Sequence, residues 1–342
     1  MYIHQHICIS PQPSFSITGA NEMVASADGK LLAVEPLLEG VPPSMLRRMS
    51  KAVRMGIGAG LPLLKNYPVD GIVMGTANGG MEDCIKFLKQ IIDYNEGLLT
   101  PANFVQSTPN AISGQLSLLS KNQQYNATHV HNGLAFENAL TDVQMLAEEN
   151  SEGNFLVGGV DEISSYNYNI DYLAGWYDKT KSNTNLYTTE KPGTIAGEGA
   201  AMFLVNGSPQ NALAKIDAIE IFESRSKEQV EHRFKNFIEQ KTADVNHSVL
   251  ISGENGDARF TPTYAACELA IGSSIPVLRY KHLTGEYPTA SSFALWLACQ
   301  VLEHQTVPDH LYKYEHNLSQ INKVILYNQY QGKQHSFMLV SK

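Results

Sequence analysis

The chain has 342 residues, of which 43% are hydrophobic and 17% charged, so it can bury a sizeable core and has neither a disordered nor a fibrous composition. Its 25 basic and 34 acidic side chains give a net charge of −9, which argues against broad contact with nucleic acid or with an anionic membrane. The first basic residue is Lys30, so no secretory signal is expected. No uncharged stretch is apolar enough for a membrane span, and a cytoplasmic protein is expected.

Strands and helices alternate along the chain, which is typical of a layered α/β protein. The first half has predicted strands at 1–10, 71–74, 154–160 and 200–205, and predicted helices at 43–61, 81–94, 109–119 and 134–149. The second half has predicted strands at 215–222, 248–252, 323–328 and 336–340, and predicted helices at 227–240, 262–271 and 289–303. A polar link at 206–211 separates two halves, 1–206 and 212–342, and their similar order suggests an internal duplication.

The four cysteines stand far apart and form no C-x-x-C pair: Cys8, Cys84, Cys267 and Cys299. Each has apolar neighbours, so we expect reduced thiols buried in the core rather than disulfides or metal ligands.

Five short segments carry a family resemblance by their order: Pro43–Met55 (PSMLRRMSKAVRM), Gly75–Met81 (GTANGGM), Val105–Leu116 (VQSTPNAISGQL), Gly158–Glu162 (GGVDE) and Gly197–Ala200 (GEGA). Together they resemble the β-ketoacyl synthases, and the first resembles a divergent group from aryl-polyene and flexirubin-type pathways. The resemblance covers nearly the whole chain. It implies the thiolase-like fold, a duplicated α/β architecture with five layers in the order α-β-α-β-α.

The resemblance also implies where catalytic residues would stand. Active synthases carry a Cys at the start of a buried helix, and some continue Cys-x-x-Gly-Val-His-Asn. The segment Asn126–Asn132 (NATHVHN) has the same ending, which puts Asn126 at the nucleophile position. The family's two catalytic His residues match Ser252, with Glu254 close by, and Glu286, which follows the family's Lys at Lys281.

These replacements change the chemistry. An Asn amide cannot carry an acyl group, and an ionised Glu accepts hydrogen bonds instead of donating them to a developing enolate. The sequence therefore indicates a catalytically degenerate synthase homologue of the chain-length-factor kind. It would pair with an active ketosynthase as a heterodimer, or with itself, and would work with acyl carrier protein in fatty-acid or polyketide-type biosynthesis.

Other interpretations stay open at this stage. Asn126, His131 and Glu286 could form the pocket of an active thioester decarboxylase or hydrolase. Glu254 and Glu286 could also share a proton and so keep a donor in the condensing site, although the acyl-carrying nucleophile would still be missing. A homodimeric acyl-binding protein without chemistry is a third possibility.

Three further features have two interpretations each. His129 and His131 could join Glu254 and Glu286 at a metal, but the spacing fixes no third ligand, so no metal or other cofactor is expected. Tyr330 is a candidate for lining the pocket, with core packing as the alternative. The basic side chains of the first predicted helix could contact a carrier protein or form an ordinary ion-paired face: Arg47, Arg48, Lys51 and Arg54.

Overall fold

The computed structural model describes residues 1–14, 23–242, 245–314 and 320–342. Within these ranges the strands are β1 (Tyr2–Ile9), β2 (Lys30–Leu31), β3 (Gly71–Thr76), β4 (Tyr125–Val130), β5 (Phe155–Asp161), β6 (Ala196–Gly197), β7 (Gly199–Asn206), β8 (Ala214–Glu223), β9 (Ser248–Ser252), β10 (Val277–Arg279), β11 (Lys323–Tyr330) and β12 (Gln334–Ser341). The helices are α1 (Pro43–Leu46), α2 (Lys51–Asn66), α3 (Met81–Asp93), α4 (Pro101–Gln106), α5 (Ala111–Ser120), α6 (Ala135–Glu149), α7 (Ser165–Leu173), α8 (Lys227–Lys241), α9 (Thr261–Ile271), α10 (Lys281–Thr284) and α11 (Ser291–His304).

The strand order repeats between the two parts of the chain. The first half runs β4-β3-β5-β7-β1 and the second runs β10-β9-β11-β12-β8. In each half three neighbouring strands are parallel and the other two pairings are antiparallel. A short β1–β8 pairing joins the halves into one ten-stranded sheet. The repeated order confirms the duplicated architecture, while the exact boundary of the halves at 206–212 stays a prediction.

Two helices form the central layer between the halves. Helix α11 carries no charged residue from Ser291 to Leu302, and all twelve of these residues are buried. It packs beside α6, and one apolar cluster joins both helices to strands of both halves. Helices α2 and α5 cover one outer face, and α8 and α9 cover the other. These layers are the predicted α-β-α-β-α stack.

One predicted helix is wrong as a single element. Residues 43–61 form two helices, because the chain breaks after α1 and Ser50 caps the start of α2, where its side chain accepts a hydrogen bond from Val53 N at 3.5 Å. Helix α2 then continues through Pro62 to Asn66. The remaining predicted elements lie within two residues of those observed.

The sequence pattern missed β4, α4, α7 and α10, along with the shortest strands. Strand β4 reads YNATHV and is exposed or half-buried throughout. It has no apolar alternation, because it lies at the edge of the sheet and faces solvent. Among the described residues, no helix is long and apolar enough to cross a bilayer.

Candidate functional site

The carboxyl ends of β3 and β5 meet the start of α11 at Asp161. This buried carboxylate accepts hydrogen bonds from the Thr76 hydroxyl at 3.1 Å and from the backbone N–H groups of Ala77 and Asn78 at 3.0 and 2.8 Å. It also accepts from the N–H and hydroxyl of Thr289, at 3.2 and 2.9 Å. Burial raises the pKa of Asp161 to about 6 despite these donors. The five bonds hold together the strand ends that border the cleft.

A polar cleft of about 300 Å³ opens at these strand ends. Its wall includes Asn78, Asn132, Asp171, Trp176 and Tyr330. A smaller cavity shares Trp176 and Tyr330 with this cleft and reaches the side chains of Asn255 and Glu286. Tyr330 therefore lines the cleft.

Glu286 is held in a buried ion pair. Its Oε1 lies 2.6 Å from Lys281 Nζ, and its Oε2 accepts a hydrogen bond from Asn255 Nδ2 at 2.7 Å. Burial raises the pKa of Glu286 and lowers that of Lys281, and the attraction between the two opposes both shifts. Both carboxylate oxygens are thus engaged by groups of the chain itself.

Ser252 and Glu254 belong to a different polar network. Ser252, at the end of β9, donates to Glu268 at 3.3 Å. Glu254 pairs with Lys313 at 2.8 Å and with Arg279 at 3.7 Å. The shared proton between Glu254 and Glu286 is therefore not supported, because each carboxylate has its own cation.

Asn126 lies away from the cleft. It is the second residue of β4, and its Nδ2 donates to Ser113 O at 3.1 Å and to Ser117 Oγ at 2.6 Å on α5. At about 3.3 Å per residue, it stands roughly 16 Å from His131 along the strand. The structure thus does not bring Asn126, His131 and Glu286 into one pocket.

The two neighbouring histidines also have separate partners. His129 Nε2 lies 2.8 Å from Asp142, and His131 Nδ1 lies 3.5 Å from Gln334 Nε2. Across the described ranges, no group of three or more His, Cys, Asp or Glu side chains is arranged to hold a metal ion. A His/His/Glu/Glu metal site is not supported by these contacts.

The start of the buried helix α6 is the position that sequence reasoning missed. Gly133 stands in the turn between β4 and α6, and its N–H donates to Gln334 Oε1 at 2.7 Å. A Cβ atom added at Gly133 would lie 2.0 Å from Tyr330 Cβ. Only glycine fits here without movement of the backbone. A glycine just before a predicted helix was the available signal, but its partner lies far along the chain.

None of the four cysteines stands in the cleft. Cys8, Cys267 and Cys299 are buried, and burial raises the pKa of each thiol. Cys84 is half-buried on α3. The predicted burial holds for three of the thiols and is wrong for Cys84, and burial keeps those three in the unreactive protonated form.

Two of the four side chains of the predicted basic face form ion pairs within the chain. Lys51 pairs with the buried Glu198, and Arg54 makes two hydrogen bonds to Glu35, at 2.6 and 2.8 Å. Arg47 and Arg48 are exposed. The free basic surface is therefore smaller than the sequence indicated.

Comparison with known proteins agrees with the fold. Residues 24–171 match the family model "Beta-ketoacyl synthase, N-terminal domain". No protein of curated function matches the sequence significantly. The match confirms the predicted resemblance to β-ketoacyl synthases for the first half of the chain.

Solved structures extend the likeness to the full length. A β-ketoacyl synthase from Burkholderia phymatum STM815 aligns with a TM-score of 0.77 at 12% identity, covering 100% of this chain and 98% of that one. A chain from the complex of the ketosynthase ApeO with its chain length factor ApeC, from Xenorhabdus doucetiae, has a TM-score of 0.75 at 13% identity, covering 99% and 97%. A chain from the AntDE:AntF complex, a type II PKS acyl-carrier protein with its ketosynthase, has a TM-score of 0.74 at 15% identity, covering 99% and 98%. At these identities the likeness establishes the β-ketoacyl synthase fold.

Proposed function

We propose that this chain is a non-catalytic subunit of the chain-length-factor kind, which pairs with an active β-ketoacyl synthase in fatty-acid or polyketide-type biosynthesis. The observation that carries the proposal is the contact between Gly133 and Tyr330. In the family, the nucleophilic Cys stands at the start of a buried helix, and α6 is the helix that follows the edge strand here. The turn before it reads His131-Asn132-Gly133-Leu134 and contains no acyl-carrying nucleophile.

The contact also restricts which residues can replace glycine in this turn. At Gly133 a side chain would meet the Tyr330 Cβ before reaching the cleft. We therefore infer that the packing between the two halves is incompatible with a nucleophilic side chain at this position. The register that places Asn126 at the nucleophile position fits less well, since Asn126 faces α5 from within the strand.

The state of Glu286 supports the same conclusion. A condensing site needs hydrogen-bond donors aimed at the thioester oxygen, which becomes negative in the transition state. Glu286, at the position of the second family His, offers carboxylate oxygens already bound to Lys281 and Asn255. Because both oxygens are engaged in this way, Glu286 has no free hydrogen-bond donor for an enolate oxygen.

The partner surface in this proposal is the outer edge of β4. This strand ends the ten-stranded sheet, and no described strand pairs with its outer side. Tyr125 and Val130 on it are 45% and 54% exposed. Exposed sheet edges with apolar side chains favour pairing with another chain. ApeO, a ketosynthase, was solved in complex with its chain length factor, which is the kind of partnership proposed here.

A carrier protein is the second partner in this proposal. Arg47 and Arg48 form the exposed part of the basic face and would attract an acidic carrier protein. In the AntDE:AntF structure an acyl-carrier protein is in complex with its ketosynthase, so the fold is compatible with such a partner.

The test combines assembly with chemistry. The purified chain is mixed with a ketosynthase that keeps its Cys and two His, and with malonyl-loaded and acyl-loaded carrier protein. We expect light scattering to show a 1:1 complex, and condensation to occur only when the ketosynthase is present. Intact mass spectrometry should find the acyl group on the ketosynthase and not on this chain. Acylation or thioester turnover by the isolated chain would contradict the proposal and favour the active-enzyme interpretation. A homodimer that ignores every such ketosynthase would favour an acyl-binding homodimer.

A further inference from the structure

The cleft and its two neighbouring cavities have an unusual charge distribution. The main cleft shares Asn78, Asn167 and Asp171 with a narrow cavity of about 20 Å³ that reaches Glu162. Four carboxylates border the three cavities, and none of the described residues that line them is Lys, Arg or His. They are Glu162, Asp171, Asp257 and Glu286. Such a wall disfavours anionic ligands.

Two of these carboxylates are neutralised by the chain itself. Glu286 pairs with Lys281, and Asp257 pairs with Arg259 at 2.5 Å. Within the described ranges no ion pair neutralises the other two, so the attraction for a ligand concentrates on them.

Glu162 is 93% buried and only partly satisfied. Its Oε2 accepts a hydrogen bond from Ala52 N at 3.0 Å, whereas its buried Oε1 has no partner among the described residues. Buried polar atoms nearly always have a partner, so an orphaned oxygen that borders a cavity indicates a position for a ligand or a proton.

Neighbouring charges further disfavour the ionised form of Glu162. Glu198, Asp83 and Glu82 lie close enough to disfavour its ionisation, and together with burial they raise its pKa to about 7. The nearby cations of α2 are Lys51 and Arg54, which are engaged by the carboxylates of Glu198 and Glu35.

Asp171 and Asn167 supply two more incomplete groups on α7. Asp171 is half-buried, and burial alone raises its pKa, with no donor or cation acting against the shift. The buried Asn167 Nδ2 has no acceptor within the described part of the chain. Both residues border the main cleft and the narrow cavity. Among the described residues, an acid and an amide donor about one turn apart on α7 therefore lack side-chain partners.

A neighbouring aromatic ring already holds an ammonium group. Tyr168 borders the narrow cavity, and Lys30 Nζ lies 3.7 Å from its ring centroid. The π-face of tyrosine attracts cations, and in this chain Lys30 occupies it, so the attraction for a ligand cation rests on the carboxylates.

We propose that this cleft binds a small amino alcohol, whose primary ammonium group is held by Glu162 and Asp171 and whose hydroxyl oxygen accepts a hydrogen bond from Asn167 Nδ2. The narrow cavity is about the size of one water molecule, which suits an ammonium group. The main cleft holds the rest of the ligand. The site goes beyond the proposed role as a synthase partner and does not depend on it.

Binding would be linked to pH through Glu162. The ammonium group pairs with the ionised carboxylate, and the free protein keeps that carboxyl partly protonated near neutral pH because its pKa is raised to about 7. Affinity therefore rises from about pH 6 to about pH 8 and levels off above the pKa.

The test uses three probes of equal length: 5-amino-1-pentanol, 1,5-pentanediol and 5-hydroxypentanoate. Calorimetry with the full chain should show at least tenfold tighter binding of the amine than of the diol and no binding of the acid, since a charge-assisted hydrogen bond contributes about 1.5–3 kcal/mol. Equal binding of amine and diol would overturn the proposal. Tighter binding of MgCl₂ than of the amine would also overturn it. The same holds if the amine gives no binding heat up to about 10 mM, since weaker binding would not be specific.

Two substitutions locate the site. Asp171→Asn and Glu162→Gln should each weaken binding of the amine about tenfold or more, whereas Glu96→Gln, on an exposed residue outside the cleft, should leave it unchanged. Asp171 is on a partly exposed helix face, so its variant decides the question if Glu162→Gln fails to fold. Unchanged affinity in Asp171→Asn would overturn the assignment.

Discussion

Gly133 and Tyr330 touch so closely that a Cβ atom on the glycine would lie 2.0 Å from the tyrosine Cβ. The contact joins the turn before α6 to the end of β11, and thus one half of the chain to the other. Tyr330 lines the cleft, and the contact leaves no space for a side chain at Gly133.

Substitution of Gly133 tests this packing. Gly133→Ala should lower the free energy of unfolding by about 2–3 kcal/mol, since overpacked sites cost this much, as measured by urea denaturation. Gly114→Ala is the matched control, because nothing lies within 4 Å of the added methyl in α5 and alanine is the better helix former. It should be neutral or slightly stabilising. An equal effect of both substitutions would contradict the steric argument.

The same position tests the missing nucleophile. Gly133→Cys should fold less stably and remain unacylated when incubated with acyl-loaded carrier protein, because the new side chain would clash with the Tyr330 side chain. Intact mass spectrometry measures the outcome. Stoichiometric acylation of the variant would show that only the thiol was lost from an otherwise competent site.

The buried Lys281–Glu286 pair should be costly to break. Lys281→Met leaves Glu286 buried without its cation, and such a loss costs about 3–5 kcal/mol. Lys235→Met removes an exposed pair with Glu231 and should cost less than about 1 kcal/mol. The double variant Lys281→Met/Glu286→Leu should recover much of the loss, since it removes both charges. Chemical denaturation of the four proteins measures these differences, and equal costs for the two Lys variants would contradict the burial argument.

Stability should depend on pH through Glu162. Its pKa in the folded chain, about 7, lies above the ordinary value of 4.5, so the folded state holds a proton that the unfolded state releases. The free energy of unfolding therefore falls as pH rises from about 4.5 to about 7, by roughly 3 kcal/mol. Glu162→Gln imitates the protonated form and should remove most of this fall in urea titrations. If Glu162→Gln leaves the pH dependence of the unfolding free energy unchanged, other groups cause it. The control Glu96→Gln should leave this pH dependence unchanged.

Disruption of the β4 edge should separate the proposed partners. Val130→Arg adds a charge to an exposed apolar position of the edge strand and should weaken the complex with a ketosynthase at least tenfold, with little change in the stability of the isolated chain. Leu269→Arg changes an 81% exposed leucine on α9, in the outer layer of the other half, and should leave assembly unchanged. Size-exclusion chromatography with light scattering distinguishes the two. If only the α9 variant loses assembly, the partner binds at α9 and not at the β4 edge.

Sequence patterns alone determined most of the elements and the family resemblance. Hydrophobic periodicity and turn residues are local properties, so strands and helices such as β5 and α6 appear within two residues of their predicted bounds. The absence of a cysteine near α6 was equally visible. Strand β4 was not predicted because an exposed edge needs no apolar alternation. Asn126, matched to the nucleophile position by the Val-His-Asn ending, lies on that strand and contacts α5.

Only the tertiary structure decided which side chains share a site. Gly133 and its partner Gln334 are 201 residues apart in the chain, and nothing local to either predicts their contact. The same holds for the separate cations of Glu254 and Glu286 and for the orphaned oxygen of Glu162. A buried charge is stabilised by whichever groups the packed layers bring to it, and that choice depends on contacts between strands and helices distant in sequence.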